Sequence, residues 1–297
     1  MNIEGIIPPM VVLYKKDGSI DEKAIREHID FLIENGVHGI FALGSTGEFA
    51  YLSDEERKQV LKITVDQVNG RIPVIAGISS PSVRLAINWG KYGEDVGADA
   101  TMAILPTYFP VSKKEVYSYF ESLSNGINLP LFLYNFPSIT FEIKPSTIQK
   151  LAENNLIIGI KETVMQIDHV KEVIELVNDP NFIVLVGVDP LFKPGLEIGV
   201  KGAILGSSNF AAKLHSRLYN AFKNQDQKLF DELYDKFNKI MVNVLQYASP
   251  IQNSVSLTKE AMKILGRNIE TGVRSPLPSL SERVIKKLEK NLTILKE

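Results

Sequence analysis

The chain alternates short, unbroken apolar runs with longer stretches in which apolar residues return every three or four positions. The runs occupy residues 5–13, 39–43, 73–76, 101–105, 131–134, 157–160, 183–186 and 203–205. They are continuous rather than alternating, which predicts strands buried on both faces, the habit of a parallel sheet. The stretches between them predict helices. Within 21–35, Ile25, Ile29 and Leu32 fall at i, i+4 and i+7, one face of a helix. Ser53-Asp54-Glu55-Glu56 and Ser112-Lys113-Lys114-Glu115 set Ser three residues before Glu, the arrangement of a capping box. Pro145 suits a first helical position. Asn35-Gly36, Val96-Gly97 and Ile198-Gly199 supply helix stops just before the next strand.

Eight strand candidates, each followed by a helix candidate, within about 220 residues is the arithmetic of a (β/α)8 TIM barrel. A doubly wound sheet would carry a Gly-rich fingerprint after its first strand, and here that strand runs into Leu13-Tyr14-Lys15-Lys16. Past residue 210 the strand pattern stops. Residues 217–247, 252–265 and 281–295 predict helices, with a Pro-rich break at 275–278. The expected organisation is a catalytic barrel over 1–220 and a C-terminal helical region over 221–297 packed on it.

Composition narrows the function. The 297 residues are 44% hydrophobic and 23% charged, ordinary for a soluble globular protein. The formal net charge is −2, so no basic excess suggests a nucleic-acid partner. No cysteine is present, which excludes disulfide scaffolds, thiolate metal sites and a cysteine nucleophile, and fits a cytoplasmic protein. The first thirteen residues contain Glu4, Pro8 and Pro9 and no basic segment, so they read as a strand, not a signal peptide. No apolar run approaches the ~18 residues that a membrane span needs. The histidines, His28, His38, His169 and His215, show no metal-ligand spacing. All four read as structural, with His28 and His169 on helical surface patterns, and neither a metal nor another cofactor is expected.

In a (β/α)8 barrel the reactive groups stand at the C-terminal strand ends and in the loops after them. Lys161 ends the apolar run Ile157-Ile158-Gly159-Ile160. Desolvation there would favour a free amine able to attack a ketone and form a Schiff base. The plainer alternative is a lysine that marks where a strand meets water. Tyr134 ends the neighbouring strand and could relay protons, or could be a core tyrosine. Gly44-Ser45-Thr46-Gly47-Glu48 follows the second strand, a tight turn with converging N–H groups that suits a carboxylate or phosphate.

Three motifs together resemble the dihydrodipicolinate synthase / N-acetylneuraminate lyase family: Gly44-Ser45-Thr46-Gly47-Glu48, Tyr134-Asn135-Phe136-Pro137 and Gly159-Ile160-Lys161-Glu162-Thr163. The likeness extends from Gly5-Ile6-Ile7-Pro8-Pro9-Met10 to Val273-Arg274-Ser275-Pro276-Leu277. It implies a metal-independent pyruvate lyase in which Lys161 forms an imine with the C2 carbonyl of pyruvate or of a 2-oxo acid product. Tyr134 would shuttle the proton, with Ser45 and Tyr108 as its hydroxyl relay. The family's equivalent of Tyr108 reaches into a neighbouring subunit, which implies a dimer and, commonly, a homotetramer built as a dimer of dimers. Ser45, Thr46 and Gly47 would receive the pyruvate carboxylate, and Gly187 and Asp189 match a substrate-side loop.

Departures from the family patterns bear on the second substrate. Synthases carry Arg where this chain has Ile139, and an isoleucine makes no bidentate contact to a carboxylate. Sialic acid lyases have Glu after the Gly-x-Asp loop, where Pro190 stands. Thr163 resembles the sugar-acid aldolases and sialic acid lyases, in which it meets a substrate hydroxyl, and Gly206-Ser207-Ser208-Asn209 resembles 2-keto-3-deoxygluconate aldolases. The expectation is reversible cleavage of a 2-keto-3-deoxy sugar acid to pyruvate and an aldehyde. Dihydrodipicolinate synthesis from pyruvate and aspartate semialdehyde, or dehydration of a keto-deoxy sugar acid, are the alternatives.

Overall fold

The structure is a computed structural model that describes residues 3–249 and 251–295. Met1 and Asn2 of the N-terminal segment read as a strand, Pro250, and the final Lys296 and Glu297 of the expected C-terminal region lie outside the described residues. Eight strands run in the order β1-β8-β7-β6-β5-β4-β3-β2, the sequential order of a (β/α)8 barrel. Contacts divide the chain into two units, Met1–Gly5 with Pro73–Ile204 and Ile6–Ile72 with Leu205–Glu297.

The first unit is a run of βα repeats: β3 (Val74–Gly77), α3 (Val83–Val96), β4 (Ala100–Ile104), α4 (Lys113–Gly126), β5 (Leu131–Asn135), α5 (Pro145–Glu153), β6 (Gly159–Glu162), α6 (Ile167–Val177), β7 (Ile183–Val186), α7 (Phe192–Glu197) and β8 (Gly202–Ala203). Adjacent strands pair in parallel throughout. Nearly every strand residue is buried, as the continuous apolar runs predict. The capping box at Ser112 forms, with Ser112 N–H donating to Glu115 at 2.6 Å, and Pro145 opens α5. Gly97 ends α3 at a φ of 92°. β6 extends two residues beyond the expected run, so Lys161 and Glu162 are strand residues.

The second unit contains α1 (Glu22–Glu34), β2 (Ile40–Ala42), α2 (Asp54–Val68), α8 (Ser208–Lys223), α9 (Gln227–Asn243), α10 (Asn253–Ile264) and α11 (Glu282–Asn291). Asp21 caps α1 through Ala24 N–H, and Ser53 with Glu56 closes the second capping box. α8 packs on α9 and α10, and α11 on α9 and α10.

Three expectations change. The first run gives only β1 (Gly5–Ile6), because Pro8 and Pro9 lack the N–H that a ladder needs. The chain beyond stays beside β2 through a Pro9–Phe41 bridge and a bond from Met10 N–H to Phe41 O at 2.9 Å. The single helix expected over 217–247 is two. Asn224 caps α8, Gln225 takes a φ of 57°, and Asp226 caps α9 by accepting from Leu229 N–H. His28 is not on a surface. It lies on the apolar stripe of α1 between Ile25 and Ile29, fully buried, with its Nε2 3.1 Å from Asn209 Oδ1. His169 is likewise largely covered, its side chain 11% exposed. Among the described residues no helix is long and apolar enough to cross a membrane.

Candidate active site

In the first unit the parallel register sets Tyr134 of β5 beside Lys161 of β6. Both are buried, and Lys161 Nζ sits 3.9 Å from the centroid of the Tyr134 ring. The ladder continues past the strand ends. Thr163 N–H donates to Asn135 O at 2.9 Å, and Gly187 N–H to Glu162 O at 2.7 Å. Gly187 is glycine for a steric reason: a methyl there would overlap Thr163 Oγ1 and lie 3.0 Å from Lys161 Cε. Lys161 and Thr163 therefore converge on one point of the Gly187 backbone. The Thr163 hydroxyl is buried and has no hydrogen-bond partner in the structure. A buried hydroxyl normally finds one, so an orphaned hydroxyl beside a buried lysine marks a place for a polar ligand.

The other candidates of this unit stand in the loops and turns after the strands. Asp189 is half-buried and opens a 3₁₀ turn after Gly187. Ile139, after β5, is 40% exposed. Tyr108 and Phe109, after β4, are 84% and 72% exposed and stack edge-on at 4.8 Å.

Behind the lysine lies a network that the sequence did not announce. Asn135 Nδ2 donates to Glu162 Oε1 at 2.7 Å, and its Oδ1 accepts from Ile143 N–H at 3.2 Å. Glu162 Oε2 lies 3.3 Å from His169 Nε2, within ion-pair distance but off hydrogen-bond geometry. Burial pushes the Glu162 carboxyl up from its usual range, partly offset by His169 and Asn135. Burial alone would lower His169, yet the carboxylates of Glu162, Glu142 and Glu172 hold it above its ordinary value. The only signal for this set was polar residues immediately after Tyr134 and Lys161.

In the second unit, Ser45–Gly47 forms a 3₁₀ turn between two residues of left-handed backbone, Leu43 at a φ of 58° and Glu48 at 57°. Non-glycine residues are strained there, and such strain gathers at functional turns. Gly47 admits no side chain, since a methyl would come within 2.9 Å of Met10 O. Ser45 Oγ is buried without a hydrogen-bond partner. Ser208, at the start of α8, is fully buried with its hydroxyl equally unpartnered. Thr46 Oγ1 faces Gly206, where a methyl would sit 3.8 Å away. Asn209 fixes the start of α8 by accepting from Val11 N–H and donating to Pro9 O.

The model of the dihydrodipicolinate synthetase family matches residues 2–295. The chain belongs to this family. It is similar to the probable 2-dehydro-3-deoxy-D-pentonate aldolase YjhH of Escherichia coli, at 34% identity over 97% of this chain and 96% of that one. It is also similar to the 4-hydroxy-tetrahydrodipicolinate synthase of Methanopyrus kandleri, at 36% identity over 98% and 95%. The crystal structure of YagE, an Escherichia coli prophage protein of the dihydrodipicolinic acid synthase family, in complex with pyruvate, superposes with a TM-score of 0.94. That match has 34% identity and covers 100% of this chain and 99% of that one. The fold is the family's (β/α)8 TIM barrel with C-terminal helices, and the chain is a lyase of this family of pyruvate-dependent aldolases.

Proposed function

We propose that the protein cleaves a 2-keto-3-deoxy sugar acid reversibly to pyruvate and an aldehyde through an imine on Lys161. The observation that carries this reading is the buried Lys161–Tyr134 pair with the unpartnered Thr163 hydroxyl converging on the same point. Lys161 Nζ adds to the substrate C2 carbonyl, and loss of water leaves an iminium. The iminium draws the C3–C4 bonding electrons into an enamine as the C4 hydroxyl gives up its proton and the aldehyde departs. Protonation at C3 and hydrolysis then release pyruvate and the free lysine. Tyr134 carries protons in these steps, with Ser45 and Tyr108 as its relay. Ser45, Thr46 and Gly47 hold the carboxylate, while Thr163, Gly187, Asp189 and Ser208 meet the rest of the substrate. Positioning supplies much of the rate.

Ile139, apolar and exposed, offers no charge to the carboxylate of aspartate semialdehyde, which favours the sugar acid over the synthase reading. The exposed Tyr108–Phe109 pair supports assembly with a second copy, and a homotetramer built as a dimer of dimers is proposed with it, in the cytoplasm. Borohydride reduction in the presence of pyruvate tests the chemistry. One adduct on Lys161 by mass spectrometry is expected, and none in Lys161→Ala; an unmodified wild-type protein would sink the proposal. Pyruvate release from a panel of 2-oxo acids, beside condensation with aspartate semialdehyde, separates the aldolase from the synthase and dehydratase alternatives.

A further inference from the structure

The Ser45–Gly47 turn is gripped from behind by charges that come from the far end of the chain. Glu48, which closes the turn, is 1% exposed. Its two carboxylate oxygens have separate partners. Oε1 accepts from Lys259 Nζ at 2.6 Å, and Oε2 accepts from the backbone N–H of Arg274 at 2.6 Å. Lys259 lies on α10, which packs on the turn, and it is wholly buried. Its ammonium also donates to Gly272 O at 2.7 Å. Lys259 and Arg274 both stand over the Tyr14 ring, each 4.4 Å from its centroid, and the Arg274 guanidinium pairs with Glu56 in the first turn of α2.

Burying two charges is costly, and an apolar pair of the same volume often serves stability as well or better. What an ion pair adds is direction. Here the direction is specific: the carboxylate is held at both oxygens, on a residue whose left-handed φ is strained for any side chain. Release of either contact would let Glu48 relax and carry Ser45, Thr46 and Gly47 with it. Ser45 Oγ has no hydrogen-bond partner of its own to hold it in place.

We propose that Lys259 and Arg274, acting through Glu48, are positioning residues that aim the Ser45–Gly47 turn at the substrate carboxylate. This rests on the assignment of that turn to the carboxylate made above. The C-terminal helical segment then tunes affinity for the acid group while the imine chemistry stays with Lys161.

The test compares pyruvate with methyl pyruvate, which keeps the ketone and lacks the negative charge. Half-saturation of borohydride trapping at Lys161 is measured for both ligands in wild type and Lys259→Met. Pyruvate half-saturation is expected to rise about tenfold, the size of a charge-assisted hydrogen bond put out of line, with the methyl ester within about twofold. The maximal trapping rate should stay within about threefold, a split between affinity and turnover that a general loss of structure would not produce. Should Lys259→Met not fold, the double variant E48Q/K259M, which buries no unpaired charge, carries the same comparison. Unchanged pyruvate half-saturation, an equal loss for both ligands, or collapse of both variants would overturn the proposal. A wild-type protein that traps no pyruvate would instead remove the imine reading on which it rests.

Discussion

The space above Gly187 ties the two side chains most closely bound to the proposed chemistry. A methyl on Gly187 would lie 3.0 Å from Lys161 Cε, 3.1 Å from Thr163 Cβ, and inside the van der Waals shell of Thr163 Oγ1. Carbon atoms rest comfortably at about 3.5–4.0 Å, so the lysine must retreat by about half an ångström or more and the hydroxyl by further. The backbone cannot yield easily, because Gly187 N–H is bonded to Glu162 O at 2.7 Å. A misplacement of about 1 Å at a reacting centre costs on the order of 10²-fold in rate, or ~2.7 kcal/mol. Gly187→Ala should therefore slow pyruvate imine formation about 100-fold, followed by borohydride-quenched time courses and intact mass. A second demand makes the argument stricter. Thr163→Ala removes the worst contact and leaves the milder ones to Lys161 Cε and the residue 163 Cβ. In that background the added methyl should cost about tenfold, a coupling of roughly 1.4 kcal/mol between adjacent residues. Wild-type rates in Gly187→Ala, or an equal loss in both backgrounds, would refute the reasoning.

Tyr134→Phe keeps a ring against Lys161 and removes the phenol, so kcat should fall about 10²–10³-fold, within the range of proton-transfer catalysis; an unchanged kcat would take the proton relay away from Tyr134. Ile139→Arg should raise condensation of pyruvate with aspartate semialdehyde at least about tenfold, the worth of one Arg–carboxylate contact. No gain would mean that residue 139 does not face the second substrate. His28 supplies a pH prediction. Full burial lowers it from 6.5 to about 4, so its contribution is complete above pH 6.5 and is lost as the pH falls toward 4. That depression corresponds to about 3 kcal/mol. The urea midpoint should fall less between pH 7 and pH 4 in His28→Gln than in wild type, and equal falls would contradict the assignment.

The order of strands and helices, the two capping boxes and the Lys161 and Tyr134 strand ends were legible in the sequence, because each rests on local spacing. Apolar runs, Ser-x-x-Glu and Pro145 act within a few residues of themselves, and the parallel ladder then converts neighbouring strands into neighbouring side chains. Even so, local reading stretched the first strand across Pro8 and Pro9 and ran one helix through Asn224-Gln225-Asp226. There a lost N–H and a left-handed residue outweighed the hydrophobic pattern.

Tertiary structure decided what the polar residues do. Lys259 looks like any lysine of an amphipathic helix, yet its partner Glu48 lies 211 positions away, and only folding desolvates both. His28 reads as a surface residue until Asn209, from the start of α8, closes over it. Glu162 on β6 and His169 on α6 have no spacing along the chain that would pair them, yet the fold brings them within 3.3 Å. Hydrophobic periodicity sets which face of an element is buried. Burial of a charge is settled by whether a partner arrives from elsewhere in the chain, and no window along the sequence contains that partner.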